Sequence, residues 1–193
     1  MTKISFNDVV DLNFVKKYWD NKPVLLPTSV KNEINDYLIN FENYRKESRG
    51  LYLYSPINGV GKSHAAFYIA EKLLYRKYRI RIFSAPNIVT LFSDSLFANK
   101  DNSYFEYIQS GDLILVDDMG KEFRPNKDEE NNIATVAFDN FFRFCYQNNK
   151  PLIITSNITP SQISDRYSES VSSLLAELCK VVKFSGNDLR KER

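Results

Sequence analysis

The chain reads as an α/β protein with a mainly parallel five-stranded sheet flanked by helices. Two observations predict this. Leu113, Ile114, Leu115 and Val116 form one continuous run of strand length, and Leu152, Ile153, Ile154 and Thr155 form another. Such runs mark strands buried on both faces, as in parallel sheets. Segments of helical periodicity separate the strand-like runs, as crossovers between parallel neighbours require.

Taken in order, residues 1–26 are a short appendage and residues 27–193 the main domain. In the appendage, Phe6, Val9, Val10, Phe14 and Tyr18 follow helical spacing, interrupted at Asn13. That stripe either packs on its own domain or docks on another protein. Pro27, Thr28 and Ser29 then punctuate the chain. Val30, Ile34, Tyr37, Leu38 and Phe41 predict the helix that follows. Leu51, Tyr52, Leu53 and Tyr54 are a β-prone run leading into a glycine-containing loop. A helix opens at Lys62, with Ala66, Ile69, Ala70, Leu73 and Leu74 on one face. A strand over 79–84 follows, then helices between Pro86 and Ser110. Ile133, Val136, Ala137, Phe141, Phe144 and Cys145 mark a further helix, and Val171, Leu174, Leu175 and Leu178 a late one. A final strand is expected over 181–184. These patterns leave the spatial order of the strands open.

The composition bounds the function. At 193 residues the chain suits one well-buried domain. A net charge of +2 carries no bulk signature of a nucleic-acid binder, so any such contact needs a local patch. Lys72, Arg76, Lys77, Arg79 and Arg81, with Tyr75 and Tyr78 between them, are one candidate; a solvated helix end explains them equally well. Cys145 and Cys179 sit in apolar helical patterns and read as buried thiols. No long uninterrupted apolar stretch occurs, which argues against a membrane span and for the cytoplasm.

The strongest chemical signal is Pro56, Ile57, Asn58, Gly59, Val60, Gly61, Lys62 and Ser63. A phosphate loop needs glycines that let successive backbone N–H groups turn inward, and a lysine that reaches the β- and γ-phosphates. It also needs a hydroxyl for Mg²⁺ and a helix whose positive end faces the anion. The stretch from Asn58 to His64 supplies these parts and is assigned to nucleotide binding, with His64 given no catalytic role. Pro56 stands where the motif has its first glycine, at the outer edge of the nest. The chemistry implied is binding of ATP and Mg²⁺ by a P-loop NTPase.

Asp117 and Asp118 end the apolar run that begins at Leu113, and ligands sit at such strand ends. Asp117 is the candidate for the Mg²⁺ shell beside Ser63, and Asp118 the candidate to polarise the attacking water. Asn157 ends the next strand. It either bonds the γ-phosphate or attacking water, or, with Ser156, caps the helix beginning near Pro160.

Several segments together resemble the AAA+ helicase loaders of the DnaC/DnaI type and the related IstB-like transposition ATPases. They are Gly50 to Tyr54 leading into the phosphate loop, Asp117-Asp118-Met119-Gly120-Lys121-Glu122, Thr155-Ser156-Asn157, and Phe184 to Arg190. The resemblance covers about residues 30–190 and implies an AAA+ fold. By it Asp117 and Asp118 look like the Walker B pair, and Asn157 like the sensor of the γ-phosphate. It further implies head-to-tail self-association with ATP, single-stranded DNA binding and delivery of a DnaB-like hexameric helicase. Two departures stand out. The family's arginine finger is replaced by Leu174, with Arg166 and Arg190 nearby, and residues 1–26 are too few for the usual helicase-gripping domain. The alternatives are an ATP-held adaptor or inhibitor of a helicase assembly, a transposition ATPase, and a small-molecule kinase.

Overall fold

The structure, a computed structural model, describes residues 26–97, 103–122 and 132–189. The appendage stripe and Arg190 lie outside these residues. In chain order the elements are α1 (Thr28–Ile39), α2 (Phe41–Lys46), β1 (Gly50–Tyr54), α3 (Lys62–Tyr75), β2 (Ile80–Ser84), α4 (Ala85–Phe97) and α5 (Ser103–Gln109). Then come β3 (Leu113–Met119), α6 (Ile133–Gln147), β4 (Leu152–Ser156), α7 (Ile163–Arg166), α8 (Glu169–Leu178) and β5 (Cys179–Lys183).

All four strand pairings are parallel, and the order across the sheet is β2-β3-β4-β1-β5. Alternation along each strand divides the core into two layers. On one face Leu51, Leu53, Ile82, Leu113, Leu115 and Ile153 meet Val30, Ile34 and Tyr37 of α1 and Ala66, Ile69 and Leu73 of α3. On the other, Tyr52, Phe83, Ile114, Val116 and Ile154 meet α4, α6 and α8. Burial on both faces is why these strands read as unbroken apolar runs.

The sequence expectations hold for the sheet and most helices, with local differences. On α6 the buried face is wider than the periodicity suggests: Phe138 and Phe142 are fully buried, whereas Ile133, Val136 and Phe144 are half-buried. The helix lies on the sheet between α4 and α8, so three sides of it are covered. The last strand begins two residues early, because α8 runs directly into β5 at Cys179. That thiol is buried in a strand, and its Sγ lies 3.8 Å from the Leu152 carbonyl.

Part of the basic cluster after α3 is tied up within the chain, while Tyr75 and Lys77 stay exposed. Arg81 is buried and donates to Ser110 Oγ at 2.8 Å and Tyr107 O at 3.2 Å. Arg79 pairs with Asp112 at 3.2 Å, and Arg76 is bonded to the Leu38 carbonyl. Tyr78 packs edge-on against Phe41 with its hydroxyl on Glu42, so it offers no free face to a base. Among the described residues, no helix is long and apolar enough to cross a membrane.

Candidate functional site

The loop between β1 and α3 wraps where the sheet ends. Gly59 and Gly61 have φ of +74° and +95°, the left-handed region in which only glycine is unstrained. Positive φ is the conformation by which such a loop can turn its amides toward an anion, and Gly61 is the residue before the first turn of α3. Lys62 is 7% exposed, and its Nζ donates to the loop's own carbonyls, Ile57 O at 3.2 Å and Ser55 O at 3.4 Å. The ammonium therefore lies inside the loop, where a phosphate chain would meet it. His64 starts the second residue pair of α3 and is half-buried.

Strand order decides what faces this loop. Because β4 lies between β1 and β3, its C-terminal end touches both the loop and the acidic strand. Asn157 Nδ2 donates to Asn58 Oδ1 at 2.8 Å, across 99 residues of sequence. The capping alternative for Asn157 is not realised. The turn at Pro160 is closed instead by Thr159, whose N–H donates to Gln162 Oε1 at 3.2 Å. Ser156 Oγ donates to Met119 O at 2.7 Å and accepts from Ile158 N–H at 3.0 Å.

Thr155, to which the sequence reading assigned no separate role, is the hinge between strands. Its hydroxyl donates to Asp117 Oδ1 at 2.5 Å and accepts the Asp118 N–H at 2.9 Å. One extra residue enters β3 between Val116 and Met119, a bulge against β4, and Asp118 takes φ of +61° there. Bulges next to reactive centres re-aim side chains. Here the bulge leaves Asp117 fully buried, while Asp118 turns outward and pairs with Lys121 Nζ at 2.8 Å.

Asp117 Oδ2 is buried with no hydrogen-bond partner. Such an orphaned carboxylate oxygen, beside the Ser63 hydroxyl, fits the protein side of a Mg²⁺ shell completed by phosphates and water. Among the described residues no group of three or more His, Cys, Asp or Glu is placed to hold a metal ion. Burial pushes the Asp117 carboxylate above its ordinary value of 3.8, and the Asp118 charge adds to the rise. The Thr155 and Ser63 hydroxyls offset it only in part.

The native state thus binds the Asp117 proton more tightly than the unfolded chain does. Stability contributed by this group is present below 3.8 and is lost as pH rises through the raised native value. Asp117→Asn should therefore raise the melting temperature of the nucleotide-free protein at pH 7, with the gain shrinking toward pH 4, while Mg²⁺-dependent ATP binding falls. Thermal scans across that pH range check the sign; a lower melting temperature at pH 7 would overturn it.

Glu122 closes the acidic segment. Its side chain is fully buried and holds Arg166 at 2.8 Å, the Tyr167 hydroxyl at 2.7 Å and the Gly120 N–H at 2.9 Å. Arg166 also donates to Gly120 O at 2.6 Å. The guanidinium considered as a stand-in for the missing finger is thus engaged within its own chain. Leu174, on α8, is half-buried and packs against the core.

The model of the bacterial DnaA ATPase domain matches residues 40–178, well over half of the chain. The chain belongs to that family. This DnaA-type domain is 33% identical over 112 residues to the chromosomal replication initiator DnaA of Bacteroides thetaiotaomicron, covering 57% of this chain and 22% of that protein. It therefore spans about a fifth of the length of that relative. Its fold matches the DnaC helicase loader with a TM-score of 0.74 at 19% identity, covering 88% of this chain and 99% of that one. It also matches replication initiator DnaA bound to AMPPCP and single-stranded DNA, with a TM-score of 0.66 at 20% identity, covering 88% and 50% respectively. The AAA+ P-loop architecture expected from the motifs is thereby borne out, and the likeness to the DnaC helicase loader is one of fold.

Proposed function

We propose that this domain is a replication ATPase of the loader type. In this reading it holds ATP·Mg²⁺, assembles head to tail, and delivers or regulates a DnaB-like hexameric helicase on single-stranded DNA. The observation that carries the reading is the convergence of Lys62, Ser63, Asp117 and Asn157 on one loop, by way of the β4 insertion between β1 and β3. The solved relatives named for a helicase loader and for AMPPCP and single-stranded DNA support it.

In chemical terms, the Gly59–Gly61 amides and the Lys62 ammonium bind the phosphates. Ser63 and Asp117 would hold Mg²⁺, which neutralises charge developing on the transferred phosphoryl group. Asp118 would polarise water, and Asn157 would report the γ-phosphate by exchanging its bond to Asn58 for one to the nucleotide.

A specific observation favours a slow form of this ATPase. Leu174 packs half-buried against the core, and Arg166 is held by Glu122 and Gly120, so neither position offers a free guanidinium to a neighbouring subunit. In P-loop NTPases such an arginine accelerates hydrolysis by about 10³–10⁵. The chain then acts as an ATP-held adaptor until a partner supplies the missing charge. The test is turnover measured over a range of protein concentrations, with ATP binding measured in the same samples. Binding with little turnover at every concentration is the expected result. Fast turnover rising with concentration would mean that subunits of this chain complete one another's sites.

A further inference from the structure

The phosphate loop is gripped from both sides, and one grip is an anion. Since β1 lies between β4 and β5, the segments leaving both neighbours reach the loop. The β4 side contributes the neutral amide of Asn157. The β5 side contributes a strap, residues 184–189. Phe184 anchors it: the residue is 1% exposed, and its N–H donates to Tyr54 O, at the end of β1, at 2.8 Å. Ser185, Gly186 and Asn187 arch through solvent, with Gly186 at φ +132°. The strap lands on Gly59. The Leu189 N–H donates to Gly59 O at 3.2 Å, and a Cβ built on Gly59 would stand only 1.7 Å from Asp188 Oδ1. Gly59 is thus glycine for two reasons, its positive φ and the carboxylate pressed against its Cα.

We propose that the strap is an intramolecular competitor for the phosphate loop, with Asp188 setting the affinity for polyphosphate. Inward-turned amides, a helix N-terminus and a buried ammonium make a field that attracts anions. Asp188 places a carboxylate in that field without any ligand. An incoming phosphate chain meets like charge at Gly59, and its binding shifts the strap off the loop. The opposition scales with the charge on the nucleotide, so Asp188 acts more on ATP than on ADP and least on AMP. Occupancy is thereby relayed to an exposed arch that a partner protein can reach. The inference rests on the nucleotide-binding reading above.

The experiment is calorimetric titration of the full chain with Mg·ATP, Mg·ADP and AMP, comparing wild type, Asp188→Asn and Lys62→Ala. Asparagine keeps the shape of the side chain and removes its charge. The expected gain for Asp188→Asn is about tenfold in ATP affinity and about threefold for ADP, with AMP unchanged, as screened short-range charge repulsion gives. Raising the salt concentration should narrow the gap, and matched melting curves would exclude a folding effect. Equal or weaker ATP binding by Asp188→Asn, with binding still lost in Lys62→Ala, overturns the competitor alone. Equal ATP binding by wild type and Lys62→Ala, or none by any of the three proteins, overturns the nucleotide reading and the strap's role with it.

Discussion

Lys62→Ala is expected to lower ATP affinity by at least a hundredfold while leaving the fold intact. The side chain is 7% exposed, and its Nζ donates to two loop carbonyls, at 3.2 and 3.4 Å. Those carbonyls are weak counterparts for a full positive charge, whereas a phosphate is a charge-assisted acceptor. Truncating one member of a buried, hydrogen-bonded charge pair costs about 2–5 kcal/mol of binding, which is where the hundredfold comes from. Stability should change little, because alanine favours the first turn of α3 and relieves the desolvation of the ammonium. Equilibrium titration with ATP, alongside a melting curve, separates the two effects. Retained affinity would overturn the reading of this loop as the nucleotide site.

Arg166→Leu is expected to destabilise the protein by about 3–5 kcal/mol, the range for stranding one member of a buried ion pair. For a domain of this size that corresponds to a fall of roughly 10 °C in melting temperature. Glu122 would keep the Tyr167 hydroxyl and the Gly120 N–H but lose its counter-charge in a fully buried place. Adding Glu122→Gln should recover part of the loss, since it removes the stranded charge and keeps an amide oxygen for the Tyr167 hydroxyl. A double variant no more stable than Arg166→Leu alone would show that Arg166 acts through packing. The network also ties Gly120 and Glu122 to α7, two residues beyond Asp118, so the single variant should loosen Asp118 and slow any residual turnover.

Much of this site is local in character and could be read before any coordinates. The phosphate loop is eight consecutive residues whose turn chemistry is self-contained, and Asp117 and Asp118 follow directly on their own strand. The polar tip at Asn157 was legible as a position, although not as a bond. By contrast, nothing in the spacing marked Thr155 as the partner of Asp117, which lies 38 residues away. The basic run from Lys72 to Arg81 looked like one patch because charge is visible in sequence and pairing is not. Asp112, which pairs with Arg79, and Glu42, which accepts from the Tyr78 hydroxyl, each lie over 30 residues from their partners.

The sequence by itself determined the α/β class, the phosphate loop and the acidic strand end, because periodicity, glycine conformation and strand burial act over a few residues. Only the tertiary structure decided what those parts meet. It set β4 between β1 and β3, and so brought Asn157 to Asn58 and Thr155 to Asp117. It bound Arg166 to Glu122 and laid Asp188 on Gly59. The physical reason is that a polar side chain accepts many partners of similar energy. Which partner it finds is settled by packing of the two apolar layers, and that packing is a property of the whole sheet.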